Sequence, residues 1–90
     1  MQIKFGRKFT KQYEKAGAEI RSLFDERLKL FIQDPFQLTL NNHPLTGKLK
    51  GFRSINITGD WRAIYSQSSD PVEGKVIIFE MLGTHSKLYK

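Results

Sequence analysis

The chain has 90 residues with 15 Lys/Arg against 9 Asp/Glu, a formal net charge of +6, and its length allows one domain, expected to span residues 1–90. It has no cysteine, which excludes disulfides and thiolate metal sites, and its two histidines alone cannot complete a structural zinc site, so neither metal nor cofactor is expected. No apolar run approaches the ~20 residues that span a bilayer, and the N-terminus MQIKFGRKF lacks the apolar core of a signal peptide, so a cytoplasmic protein with no membrane partner is expected.

Gln2-Ile3-Lys4-Phe5 alternates polar and apolar side chains, the period of a half-buried strand. After Gly6, Phe9 and Tyr13 recur four apart on one face of a short helix, which Gly17 ends or turns. Ile20, Leu23, Phe24, Leu28 and Phe31 then fall at i, i+3, i+4, i+8 and i+11, an amphipathic helix with Arg21, Asp25, Glu26 and Lys29 on its other face. Asp34-Pro35 stops it. Residues 41–51 (NNHPLTGKLKG) are rich in Asn, Pro and Gly and predict a structured loop. From Phe52 to Thr58 the chain alternates, with Phe52, Ser54, Asn56 and Thr58 on one face and Arg53, Ile55 and Ile57 on the other. Thr58-Gly59-Asp60 predicts a hairpin turn into a return strand, Trp61 to Ser66. Gln67 to Gly74 reads as a polar turn, and Lys75 to Leu82 (KVIIFEML) as a strongly apolar strand suited to the centre of a sheet. Gly83 breaks that strand, leaving His85 to Lys90 as a short tail or a single helical turn.

The order β-α-α-β-β-β predicts an α+β fold: two N-terminal helices packed on one face of a small antiparallel sheet, with a short C-terminal tail or helix. The other face and its loops stay open to a ligand. The excess positive charge draws polyanions. Lys4, Arg7, Lys8, Lys11 and Lys15 crowd the first strand and helix, and Lys48 and Lys50 the loop before the strands. Both groups can hold a nucleic-acid backbone, although at least half of these cations are expected to form an ordinary solvated surface.

Four runs carry a resemblance. His43-Pro44-Leu45-Thr46-Gly47, Lys50-Gly51-Phe52-Arg53, Gly59-Asp60-Trp61-Arg62-Ala63-Ile64-Tyr65 and Gly83-Thr84-His85-Ser86-Lys87-Leu88-Tyr89 are similar, in order and spacing, to the RelE/YafQ branch of the RelE/ParE toxin superfamily. Residues 40 to 90 match by motif and the first 40 by element order alone. The resemblance implies a RelE-like sheet backed by two helices, and the toxin of a type II toxin–antitoxin pair. It implies an endoribonuclease that binds the ribosomal A site, cleaves mRNA there without a metal, and is held inactive by a cognate antitoxin over its basic face.

Cleavage without a metal uses the neighbouring 2′-OH as nucleophile and needs a base, an acid and cations for the phosphorane. Histidine suits the first two tasks and arginine the third. The resemblance assigns His43 and His85 to acid/base work, Arg62 to the scissile phosphate, Asp60 to a functional carboxylate and Tyr89 to stacking or positioning the substrate. Lys48, Lys50 and Arg53 are expected to bind RNA; Arg53 could instead brace the sheet, and Asp60 could serve only as a turn residue. Ser54 and Asn56 depart from the YafQ pattern, which has an acidic residue and a histidine there, so codon preference and rate stay open. Two other activities compete: a ParE-like inhibitor of DNA gyrase, which the two histidines argue against, and an RNA-binding module whose catalysis has decayed.

Overall fold

Alternation and helical spacing resolve into β1 (Gln2–Phe5), α1 (Arg7–Lys15), α2 (Ala18–Gln33), β2 (His43–Pro44), β3 (Arg53–Asn56), β4 (Trp61–Asp70), β5 (Gly74–Thr84) and α3 (His85–Leu88). The computed structural model describes residues 1–89; Lys90, the end of the expected tail, lies outside the described residues. The strands form one sheet in the order β1-β5-β4-β3-β2. The α+β architecture and the helices on one face are as expected. The sheet differs in three respects, each with a backbone cause.

First, it is mixed: β1 lies parallel to β5, with Gln2 opposite Val76 and Phe5 opposite Phe79. The whole intervening chain, two helices and three strands, provides the long connection that a parallel pair requires. Second, the hairpin arms are longer than side-chain pattern suggests. Gln67 to Asp70 continue β4 and pair with Ile77 to Gly74, because the ladder is made by backbone groups and tolerates polar side chains. Gly83 does not break β5; it pairs with Arg62, and a Cβ there would meet the Leu88 side chain at 3.2 Å. Its bareness lets α3 fold back onto the sheet. Third, the loop at 41–51 contains β2, whose His43 and Pro44 pair with Ser54 and Arg53. Among the described residues no helix is long and apolar enough to cross a membrane.

Register separates the two faces. Ile55, Ala63 and Leu82 stand opposite one another, as do Arg53, Tyr65 and Phe79, and apart from Arg53 all of them are buried. This face meets the helices through Phe9, Phe24 and Phe31. Phe79 is the meeting point: its ring centroid lies 5.4–6.0 Å from those of Phe5, Phe9, Phe24, Phe31 and Tyr65.

Asn42 ties the segment after α2 to this core. Its Nδ2 donates to the Pro35 carbonyl at 2.9 Å and to Tyr65 Oη at 2.7 Å, while its Oδ1 accepts from Arg53 Nε at 2.8 Å. Asn42→Ala strands several part-buried polar groups at once and is expected to cost about 1–3 kcal/mol in denaturant unfolding. An unchanged midpoint would show that water replaces the amide without loss.

The β4–β5 turn is locked by Asp70, whose Oδ1 accepts from the backbone N–H of Val72 at 2.8 Å and of Glu73 at 2.9 Å. The Glu73 bond foremost, and then the Val72 bond, hold its carboxyl below the usual carboxylate value. Because the folded pKa is the lower one, the turn's contribution is complete above the ordinary aspartate pKa and fades as pH falls through the depressed one. Protection of the Val72 and Glu73 amides, read as exchange relative to the unstructured-chain rate at the same pH, should therefore fall on acidification below about pH 4, and Asp70→Asn should remove that pH step.

Candidate functional site

The opposite face of the sheet carries the site. Two rows of directly opposed residues cross it, and opposed residues project on the same side. One row runs His43, Ser54, Ile64, Met81; the next runs Asn56, Arg62, Gly83. The alternation over Phe52–Thr58 is as expected, with Ser54 and Asn56 on this face and Ile55 in the core.

α3 closes over one end of this face. The His85 backbone N–H donates to the Asp60 carbonyl at 2.9 Å, pinning the start of α3 to the β3–β4 turn. Tyr89 Oη then donates to Ser54 Oγ at 3.0 Å, and the His85 and Tyr89 rings lie 4.5 Å apart at 53°. His43, Ser54, Tyr89 and His85 thus form one continuous line of neighbours, from β2 across β3 to α3. His85 is exposed, and Ser54 is fully buried beneath Tyr89.

His43 is held by its own loop. Nδ1 lies 2.7 Å from the Asn41 carbonyl, and a carbonyl can only accept, so Nδ1 carries a proton and the tautomer this contact selects has Nε2 as its acceptor. Asn41 takes a left-handed backbone, φ 46°, which asparagine tolerates better than most residues.

Arg62 shares the face but is partly engaged. Its Nη1 donates to the carbonyls of Gly59 at 2.8 Å, Thr58 at 3.0 Å and Trp61 at 3.3 Å. One arm of the fork thus clamps the turn, while its other nitrogens make no hydrogen bond among the described residues. Beside it Asn56 Oδ1 is buried without a donor among the described residues. Asp60 is an exposed turn residue, and its bonds here come from the backbone: N–H to Thr58 Oγ1 at 3.2 Å and carbonyl to α3.

The three expected RNA-binding cations separate. Lys48 lines a cleft of about 420 Å³ with Lys8, Thr46, Leu49, Leu88 and Tyr89, which places it at the edge of the site. Lys50 is exposed just beyond, outside that lining. Arg53 lies on the other side of the sheet, bonded to Asn42, with its guanidinium carbon 5.3 Å from the Phe36 ring centroid. The bracing role is the one its geometry describes.

In the sequence Lys8 is only one member of a basic cluster, yet it lines the cleft. Its signal is positional: one residue before the buried Phe9, it falls on the flank of α1 that borders the cleft. Among the described residues no cluster of three His, Cys, Asp or Glu side chains could hold a metal ion.

Fold and site define a small basic α+β protein, with helices on one face of a mixed sheet and, on the other, a lysine-bearing cleft that ends at Tyr89 beside His85. The sequence model of the family described as "Bacterial toxin of type II toxin-antitoxin system, YafQ" matches residues 1–90, and the chain belongs to that family. The mRNA interferase toxin YafQ of Escherichia coli K12 is 34% identical over 55 residues, which are 61% of this chain and 54% of that protein. That alignment therefore spans about half the length of the curated relative. The crystal structure of YafQ from E. coli BL21(DE3) superposes with a TM-score of 0.78 at 24% identity, covering 99% of this chain and 98% of that one. The E. coli DinJ-YafQ complex gives 0.74 at 24% identity, with 99% and 98% coverage. At this identity the two structures speak for the fold.

Proposed function

We propose that residues 1–90 act as one domain, the toxin of a type II toxin–antitoxin pair, and cut mRNA on the ribosome in the cytoplasm without a metal. The observation that carries this reading is the line His43–Ser54–Tyr89–His85, two imidazoles flanking a buried serine and the half-buried tyrosine bonded to it, beside a lysine-bearing cleft.

In this reading one imidazole takes the proton of a ribose 2′-OH, and the 2′-oxygen attacks the adjacent phosphorus. The bond to the 5′-oxygen breaks, the other imidazole protonates the leaving oxygen, and a 2′,3′-cyclic phosphate remains. The Nδ1 proton held by Asn41 leaves His43 Nε2 free to accept, which suits it to the first step. Arg62, through the nitrogens that do not clamp the turn, and Lys48 offset the growing phosphorane charge. Tyr89 orients the substrate and keeps His85 in place by ring contact; Asp60 acts through its carbonyl on α3. Lys48 and Lys50 meet the RNA backbone, and Arg53 serves the scaffold. The YafQ relative is named an mRNA interferase, and a YafQ is found in complex with DinJ; by the same logic a cognate antitoxin is this chain's regulator.

Cell-free translation with mapped mRNA ends tests the reading. Cuts by the wild type that vanish with His85→Ala and weaken with Arg62→Ala are expected. Intact mRNA with blocked gyrase supercoiling would replace it with the gyrase-inhibitor reading, and ribosome binding without cuts would replace it with a decayed RNA-binding module.

A further inference from the structure

The cleft that ends at Tyr89 does not stop at Leu88. Lys8, Met81 and Leu88 are shared with a second cleft of about 280 Å³ in the gap between α1 and α3. Lys15, Lys87 and Trp61 line its far part. The gap follows from how the sheet ends. β1 pairs with β5 only as far as Phe79, so the edge of β5 beyond it is left for α1. Gln12 Oε1 accepts the Leu82 backbone N–H there at 2.8 Å, setting α1 alongside the open edge. Lys8 and Lys15, seven residues apart, share one side of the helix and are separated by about 10 Å along its axis. Lys87 comes from α3.

We infer that this second cleft binds single-stranded RNA flanking the cut, with phosphates between Lys8, Lys15 and Lys87 and a base on the Trp61 indole. The inference rests on the nuclease reading and adds a binding site to it. Two observations select RNA. The basic residues converge from two elements on one trough, which complements a chain of phosphates. The trough is continuous with the cleft at Tyr89, so a strand seated there delivers its next nucleotides into it, and the half-buried Trp61 indole in its lining is the kind of aromatic surface on which any base stacks.

Trp61 is the only tryptophan, so its emission reports this cleft directly. The full chain is titrated with 2′-O-methyl oligonucleotides, which lack the attacking hydroxyl. A hexanucleotide is expected to quench Trp61, and a dinucleotide, long enough only for the cutting site, is not. Lys15→Gln/Lys87→Gln should weaken hexanucleotide binding about tenfold at low salt. It should also flatten the slope of log affinity against log salt by about 1.4, two phosphates at ~0.7 each. Lys29→Gln/Lys75→Gln, at two exposed lysines outside both clefts, controls for the loss of two charges. Hexanucleotide binding, followed by anisotropy of a labelled strand, that leaves Trp61 emission or the double variant's affinity unchanged overturns the inference, as does a hexanucleotide that does not bind. Stronger quenching by an acidic peptide such as polyglutamate overturns it in favour of a protein-docking groove. Wild-type cutting in the translation assay without any Trp61 response sinks this site alone, whereas absence of cutting sinks the nuclease reading itself.

Discussion

His85→Ala is expected to lower mRNA cleavage by about 10²–10⁴-fold, the usual worth of a positioned acid or base, while shifting stability by no more than about 0.5 kcal/mol. The asymmetry follows from placement. The imidazole is exposed and touches the Tyr89 ring, while the hydrogen bonds of His85 to the fold are made by its backbone, the N–H to Asp60 and the carbonyl accepting from the Tyr89 N–H at 3.1 Å, both of which alanine keeps. Tyr89→Phe is the informative companion. It retains the ring beside His85 but removes the O–H that Ser54 accepts, leaving the buried Ser54 hydroxyl short of a partner at a cost of about 1 kcal/mol. If Tyr89 acts by orientation, the phenylalanine variant keeps most of the cleavage that the alanine variant of His85 loses. Full cleavage by His85→Ala would remove that imidazole from the chemistry and leave His43 without its counterpart.

Phe79→Ala is expected to be the most damaging single truncation in the core, at about 3–5 kcal/mol. Small domains have only about 5–15 kcal/mol in total, so the melting temperature should fall by more than about 10 °C. Phe79 is completely buried and packs on five aromatic rings drawn from β1, α1, α2 and β4. A cavity there is walled by every layer of the fold, and none can close it without moving the others. Leu38→Ala, at a side chain 94% exposed, should change stability by less than about 0.5 kcal/mol. Equal effects from the two would mean that the aromatic cluster is far softer than its packing suggests.

Much of this architecture is readable in the linear chain because burial imposes a period on it. Phe9 with Tyr13, and Phe24 with Phe31, announce the inner faces of both helices; Ile55 and Ile57 announce the inner face of β3 and its continuation. Where side-chain period is absent, reading fails for a physical reason. Gln67 to Ser69 are exposed yet paired, since ladder hydrogen bonds leave no trace in polarity. Gly83 reads as a breaker because its purpose, room for Leu88, belongs to a residue five positions on. Parallel pairing of β1 with β5 joins positions about as far apart as the chain allows, and no local pattern encodes it.

The site divides in the same way. The motifs name His43, His85 and Tyr89, but their order in space, with Ser54 and Tyr89 between the two imidazoles, is set by strand pairing and by α3. That Arg53 turns to the opposite side follows from alternation with Ile55, which the sequence displays, but its partners Asn42 and Phe36 come from a neighbouring segment. Arg62 shows a subtler case. Its face is set by register, yet the turn carbonyls that occupy Nη1 are local acceptors whose directions only the folded backbone defines.

The parallel seam between the first strand and the fifth also sets a schedule for biosynthesis. A nascent chain exposes Ile3 and Phe5 early, but their mates Ile77 and Phe79 emerge only after most of the polypeptide has been made, and His85 and Tyr89 of the proposed site follow later still. Long-range closure of this kind is slow to form. Under the proposed activity, a translating ribosome would release no competent nuclease from a partly made product, and truncation before Phe79 would yield an aggregation-prone fragment with an orphaned edge rather than a weaker toxin.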